Sequence, residues 1–218
     1  FFKGLFGISL AFVAGISGRL RIQIERHVEY FLFLASATLG LMVLTSAIEL
    51  LTLFIGLELS AYSLYLLVPL KKTKPSSEAA VKYMIFGAFM SGTFVYGLSL
   101  LMGLTQTTYL HTMAAQTPAL QNQPLYLIAM FFVLGSLFFK LSLFPFHFWA
   151  PDTYEAAPTS AVAFIATASK AGAVVVLLRL LSLLGGGEAM VEVLAFIAVG
   201  SMAVGNLAAL WQKDIKRL

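Results

Sequence analysis

Residues 30–70, YFLFLASATLGLMVLTSAIELLTLFIGLELSAYSLYLLVPL, hold two charges, Glu49 and Glu58, in 41 positions. As one helix at 1.5 Å per residue the stretch would reach about 60 Å, twice the roughly 30 Å hydrocarbon core of a bilayer. It must therefore fold back on itself, most simply at residues 45–49, and it reads as two adjacent membrane helices.

The same reading extends along the chain. Seven segments are apolar over about the 20 residues that a crossing needs: 2–18, 28–47, 48–69, 78–104, 124–149, 159–184 and 189–211, the first of them short. The composition agrees, with 60% apolar residues, 11% charged residues and a mean hydropathy of +0.90. Soluble domains are about one quarter charged. The expected class is an all-α, polytopic transmembrane helix bundle.

Punctuation separates the spans. Pro69 and Pro75 flank a lysine-rich turn, Pro151 and Pro158 flank an acidic one, and glycines at 185–187 close the sixth span. Residues 105–123 read as a long polar loop without Lys, Arg, Asp or Glu. The chain reads as a fragment, opening on Phe1 inside an apolar run and closing on a basic run at 213–218.

Composition also limits the chemistry. Without cysteine there is no thiolate-held iron–sulfur cluster, CxxC metal site or disulfide. His27, His111 and His147 lie far apart and form no haem or zinc pattern, so no cofactor or metal is expected on this chain. The net charge of +4 sits beside the spans and reads as topology, with no nucleic-acid partner expected. Arg19, Arg21 and Arg26, then Lys71, Lys72 and Lys74, then Lys213, Lys216 and Arg217 fall in alternate loops. The positive-inside rule puts these loops in the cytoplasm and the 105–123 loop outside. The acidic 152–155 turn falls on the cytoplasmic side.

Charges within the spans point to function. Lys82 follows Glu78 by four residues near the start of its span, where an i,i+4 ion pair accounts for it. Arg179 lies close enough to a span end to snorkel. Glu58, Lys140 and Lys170 each sit near the middle of a predicted span, where an ionisable group is costly and usually carries ions or protons. Two lysines against one glutamate leave a positive charge over. At an effective dielectric of 20, a carboxylate about 4 Å from an ammonium contributes about 4 kcal/mol, so moving such a carboxylate changes how tightly the proton is held. Pro145 follows Lys140 by five residues and cannot donate to the carbonyl of Leu141, which predicts a broken helix of the kind that lines ion sites. His147, just past the break, is either a proton relay or a hydrogen-bonded interfacial histidine.

The segment FKLSLFPFHFWAPDTYEAAPTSAVAFIATASKAGA (139–173), with FIGLELSAYSLYLL (54–67), EAAVKYMIFGAF (78–89) and GNLAALWQKDIKRL (205–218), resembles the antiporter-like membrane subunits of bacterial NADH–quinone oxidoreductase, respiratory complex I. Within that group it is most similar to the subunit N branch, and the wider group includes Mrp-type cation/proton antiporter subunits. Two departures stand out, Ala156 for a usual Gly and Ser160 for a usual Pro. The resemblance implies inverted five-helix repeats, with residues 28–184 as the first repeat, 1–27 as a truncated leading span and cytoplasmic loop, and 185–218 as the start of the second repeat. It implies proton-path roles for Glu58, Lys140 and Lys170, and an entrance role for Lys82. NADH, FMN, iron–sulfur clusters and quinone would all be on partner subunits of the membrane arm and beyond it. The expected function is a proton-translocating subunit in the bacterial inner membrane. The alternative is an Mrp-type sodium/proton antiporter subunit.

The basic-loop pattern makes a topological prediction. Cysteines introduced near Lys72 and near Gln121 fall on opposite faces, so an impermeant thiol reagent applied from the periplasmic side labels only the second. Equal labelling overturns the orientation.

Overall fold

The computed structural model describes residues 1–19, 27–185 and 188–217, and every regular element among them is helical. The helices are α1 (Phe2–Arg19), α2 (His27–Ser46), α3 (Leu50–Leu67), α4 (Lys74–Thr105), α5 (Leu110–Leu120), α6 (Pro124–Leu141), α7 (Trp149–Ala156), α8 (Thr159–Phe164), α9 (Lys170–Leu184) and α10 (Glu188–Ala209). A 3₁₀ turn, Val68–Lys71, extends α3. A π-helical turn, Ile165–Ser169, joins α8 to α9 without interrupting the rod. Six of these rods are long and apolar enough to cross a membrane, while Phe2–Gly18 is apolar but shorter. Seven spans were expected, and the first falls below full length. Arg21, Arg26 and the glycines at 186–187 lie outside the described residues.

The predicted fold-back is present. α2 ends at Ser46, and Glu49, in extended backbone, caps α3. Glu49 Oε1 accepts from Thr52 Oγ1 at 2.8 Å and Oε2 accepts from Thr108 Oγ1 at 3.1 Å. The Leu50 amide donates to Thr108 O and the Leu110 amide to Ile48 O, so a two-bond bridge fastens this turn to the segment before α5. The two arms of the hairpin then pack with almost no side chain between them. A Cβ at Gly40 would meet the Ser60 amide at 2.5 Å, and one at Gly56 would meet the Leu44 amide at 2.7 Å. Small residues at a crossing are the usual means of close approach in lipid, where helices gain no hydrophobic driving force.

Four boundaries differ from the sequence expectation. α4 begins at Lys74 and not near 78, because Thr73 caps it. Its Oγ1 accepts from the Ser76 amide while Ser76 Oγ accepts from the Thr73 amide, with Pro75 in the first turn. The 105–123 loop is a correction: it contains α5, whose buried Leu110, Met113 and Thr117 form a stripe facing inward. That stripe has helical spacing but lies in polar sequence, which hid it. The acidic turn is likewise helical, forming α7, and the 124–149 span stops at Leu141.

Buried polar links bind the elements where apolar contact alone would not fix register. Tyr30 of α2, fully buried, donates to Ser160 Oγ of α8 at 2.7 Å, and its oxygen lies 3.0 Å from Ser17 Oγ of α1. Ser160 thus uses the hydroxyl that a proline would lack. At the other face the Tyr126 hydroxyl donates to Leu184 O, and Gly185 (φ 58) ends α9 against Thr117.

The glycine crossing can be tested directly. Gly40→Ala destabilises the purified protein by about 1–3 kcal/mol through overpacking against backbone. Gly92→Ala, where a Cβ meets nothing within 4 Å, leaves the thermal midpoint in detergent unchanged or slightly raised.

Candidate functional site

Glu58 lies eight residues from the start of α3 and nine from its end, so it sits at mid-rod. Ser91 of α4 donates to its Oε1 at 2.7 Å. Lys140 Nζ stands 3.7 Å from the same oxygen and donates to Leu57 O at 3.4 Å. The two side chains are only 12% and 16% exposed, and Glu58 Oε2 is buried with no hydrogen-bond partner among the described residues. Charges this enclosed are tolerated when they are paired and hydrogen-bonded.

Lys140 reaches this depth by a different route from the one its sequence position suggested. Counting from the predicted span ends at 124 and 149 put it nine or more residues inside a helix, yet it sits in the last turn of α6. The helix stops because Ser142 takes φ 57, with its amide closing onto Phe139 O and the Leu143 amide onto Phe138 O. The break falls three residues ahead of Pro145. Its loose backbone groups are taken up by neighbours: the Phe144 amide donates to Ser201 Oγ of α10, and the Trp149 indole donates to Phe139 O at 3.0 Å. Irregular backbone inside a membrane protein requires such partners. The C-terminal carbonyls of α6 also favour a cation in this last turn.

Lys170 follows the π turn on the α8–α9 rod, a distortion that is frequent at functional sites and invisible in the sequence pattern. Its ammonium lies 5.7 Å from the Tyr154 ring centre, and among the described residues it forms no ion pair with Glu58. An aromatic column connects the two lysines. Tyr65 meets Tyr83 edge-on at 4.5 Å, Tyr83 stacks on Trp149 at 4.2 Å, and Trp149 meets Tyr154 at 6.1 Å. Burial pushes the Tyr154 phenol up to about 12, with Ser142 facing it and lowering it in part, so it remains a neutral phenol near pH 7.

On the face of the basic loops, Lys82 pairs with Glu78 at 2.8 Å as the spacing predicted, and also with Asp152 of α7 at 3.2 Å, a partner seventy residues away. Arg217 joins Asp152 at 3.0 Å and Glu155 at 2.8 Å, while Lys216 Nζ donates to Glu155 O and Ala157 O. Burial lowers the Lys216 pKa, and nearby Lys71 adds to the effect. A hollow of about 370 Å³ opens between Lys71, Glu78, Lys82, Asp152 and Glu155. The acidic segment thus meets the basic loops on the face assigned to it. His147 lies in the irregular stretch after the break, its Nδ1 buried without a partner among the described residues.

Sequence reasoning singled out Glu58, Lys140, Lys170, Lys82 and His147 as candidates, and of these the structure brings Glu58 and Lys140 together. It missed Ser91, a lone hydroxyl in an apolar helix with no local signal. No group of three or more potential metal ligands occurs among the described residues.

A family model described as NADH:quinone oxidoreductase/Mrp antiporter, TM, matches residues 47–218. The chain is 42% identical over 219 residues to NADH-quinone oxidoreductase subunit N 2 of Solidesulfovibrio magneticus, covering 100% of this chain and 47% of that protein. It is 44% identical over 220 residues to the subunit N 2 of Syntrophobacter fumaroxidans, with the same two coverages. Among solved structures, a chain of respiratory complex I from Thermus thermophilus superposes with a TM-score of 0.83 at 35% identity, covering 100% of this chain and 47% of that one. A chain of an archaeal membrane-bound sulfane sulfur reductase also gives 0.83, at 25% identity, covering 99% and 45%. The chain spans about half the length of the curated relatives it matches.

A double-mutant cycle tests the geometry. Glu58→Gln and Lys140→Gln couple by roughly 0.5–3 kcal/mol in the unfolding of the purified protein, as residues in contact do. Glu58→Gln and Lys170→Gln add within about 0.5 kcal/mol.

Proposed function

The chain belongs to the NADH:quinone oxidoreductase/Mrp antiporter transmembrane family, and from that premise we propose that it is the core of a proton-translocating subunit of an NADH–quinone oxidoreductase. The observation that carries this reading is the Glu58–Lys140 pair, enclosed beside the middle of α3, sharing one carboxylate oxygen with Ser91 and placed where α6 breaks. A purely structural ion pair has no need of a broken helix beside it.

The geometry supports a sequence of roles. Lys82, exposed beside the hollow among Asp152 and Glu155, lies where protons would be gathered at the cytoplasmic surface. Lys170 and Lys140 are the carriers, and Glu58 is the counter-charge whose distance sets how firmly Lys140 holds its proton. At an effective dielectric of 20, an attraction of about 4 kcal/mol at 4 Å halves when the separation doubles, a factor of roughly thirty in binding. A side-chain movement of a few ångströms therefore suffices to load or unload the site. His147, with its free buried Nδ1, is the secondary relay past the break.

On this reading residues 28–184 form the first of two inverted repeats, residues 1–27 lead into it, and 185–218 begin the second. The chain works in a bacterial inner membrane beside other membrane-arm subunits, with NADH, FMN, iron–sulfur clusters and quinone handled by partners. Relatives named as subunit N, at 40–44% identity, favour this over a separate Mrp-type antiporter.

Substitution of Lys140 separates a carrier from a counter-ion. Lys140→Ala in the full-length protein lowers proton translocation tenfold or more, a conservative figure on the roughly 10²–10⁴ that a positioned acid or base contributes. Lys140→Arg keeps the charge but does not release its proton near neutral pH, and it fails in the same way at normal complex abundance. Full translocation by the arginine variant reduces Lys140 to a counter-ion.

A further inference from the structure

A small cavity of about 20 Å³ lies beside Lys140, lined by Ser60, Tyr65, Tyr83 and Ser169 among apolar side chains. That volume accommodates about one water, and a buried water needs two to four polar partners. The partners are at hand. Among the described residues, no protein hydrogen bond engages the hydroxyls of Ser60, Tyr65, Tyr83 or Ser169, although all four residues line the cavity. Lys140 Nζ has three N–H donors, and its protein contacts are Leu57 O and Glu58 Oε1.

Tyr65 is held in this place from two sides. Its ring meets Tyr83 edge-on at 4.5 Å, and its hydroxyl rests against Gly87 of α4, where a Cβ would overlap it. Gly87 is an ordinary helical glycine without a positive φ, so the phenol accounts for the missing side chain. Tyr65 also follows Glu58 by seven residues on α3, two turns along the same face.

We propose that this cavity is a built site for one ordered water and that Tyr65 is its positioning residue. The water accepts from Lys140 Nζ and exchanges a hydrogen bond with the Tyr65 hydroxyl, so Lys140 has one partner on the carboxylate side and one toward Ser169, next to Lys170. Tyr65 thereby fixes the direction in which the ammonium points. The consequence for transport rests on the proton-carrier reading of Lys140, whereas the water site does not.

The test uses the full-length protein in its intact membrane complex. A cryo-EM map that resolves waters shows one within about 3 Å of both Tyr65 Oη and Lys140 Nζ, and that water is lost in Tyr65→Phe. An empty cavity in the parent, or a water that stays in place without the hydroxyl, overturns the proposal. Should Tyr65→Phe not assemble, the parent map decides alone. Tyr65→Phe lowers translocation roughly tenfold, the effect of one hydrogen bond to a charged group, and displaces its pH profile. Gly87→Ala pushes the phenol aside and gives the same loss. Parent-like rate and pH profile in Tyr65→Phe overturn the positioning role. If instead Lys140→Ala and Glu58→Gln translocate like the parent, the proposed function fails while the water site stands on the map.

Discussion

The structure is organised around the cost of keeping a carboxylate and an ammonium out of water. The penalty for each ion is several kcal/mol and is offset only by close pairing and hydrogen bonding. Glu58 and Lys140 meet these terms with help from three different helices: α3 supplies the carboxylate, α6 the ammonium and α4 the Ser91 hydroxyl. The positions of those helices follow from that requirement. α3 lies against α2 through glycines that leave no gap, which sets the depth of Glu58, and α6 ends beside it so that Lys140 also faces its own terminal carbonyls.

Breaking α6 has its own cost, because backbone amides and carbonyls leave the helical ladder. Ser201 and the Trp149 indole take up part of that cost, and the same indole anchors the aromatic column that runs between the two lysines. Among the described residues, His147 Nδ1 and Thr153 Oγ1 are buried in this region without a hydrogen-bond partner, and Ser142 Oγ and Tyr154 Oη, which face each other, make no further hydrogen bond. They lie in the stretch from the break through α7.

The face of the basic loops works by a different balance. Lys82, Arg217, Asp152 and Glu155 are each about one-third to one-half exposed, so their ion pairs contribute little to stability. They fix α7 against α4 and the segment after α10, and they keep titratable groups around an open hollow. Exposure makes such pairs quick to exchange protons with water, in contrast to the enclosed pair deeper in the bundle.

The membrane solvent, six of the seven expected spans, the fold-back at 45–49 and the three ionisable residues inside the spans were all legible in the amino-acid order. Hydropathy and charge are local quantities summed over twenty residues, so they are legible without a partner. The same order also placed the acidic segment on the basic face, because loop parity alone decides sides. That Glu58 pairs with Lys140 and leaves Lys170 against Tyr154 emerges only from helix packing, since contacts between residues tens of positions apart depend on helix rotation. The same holds for α5, the π turn before Lys170, Ser91 and the Tyr65–Gly87 contact. Each depends on what a neighbouring helix presents at one depth, and a hydropathy window does not contain that information.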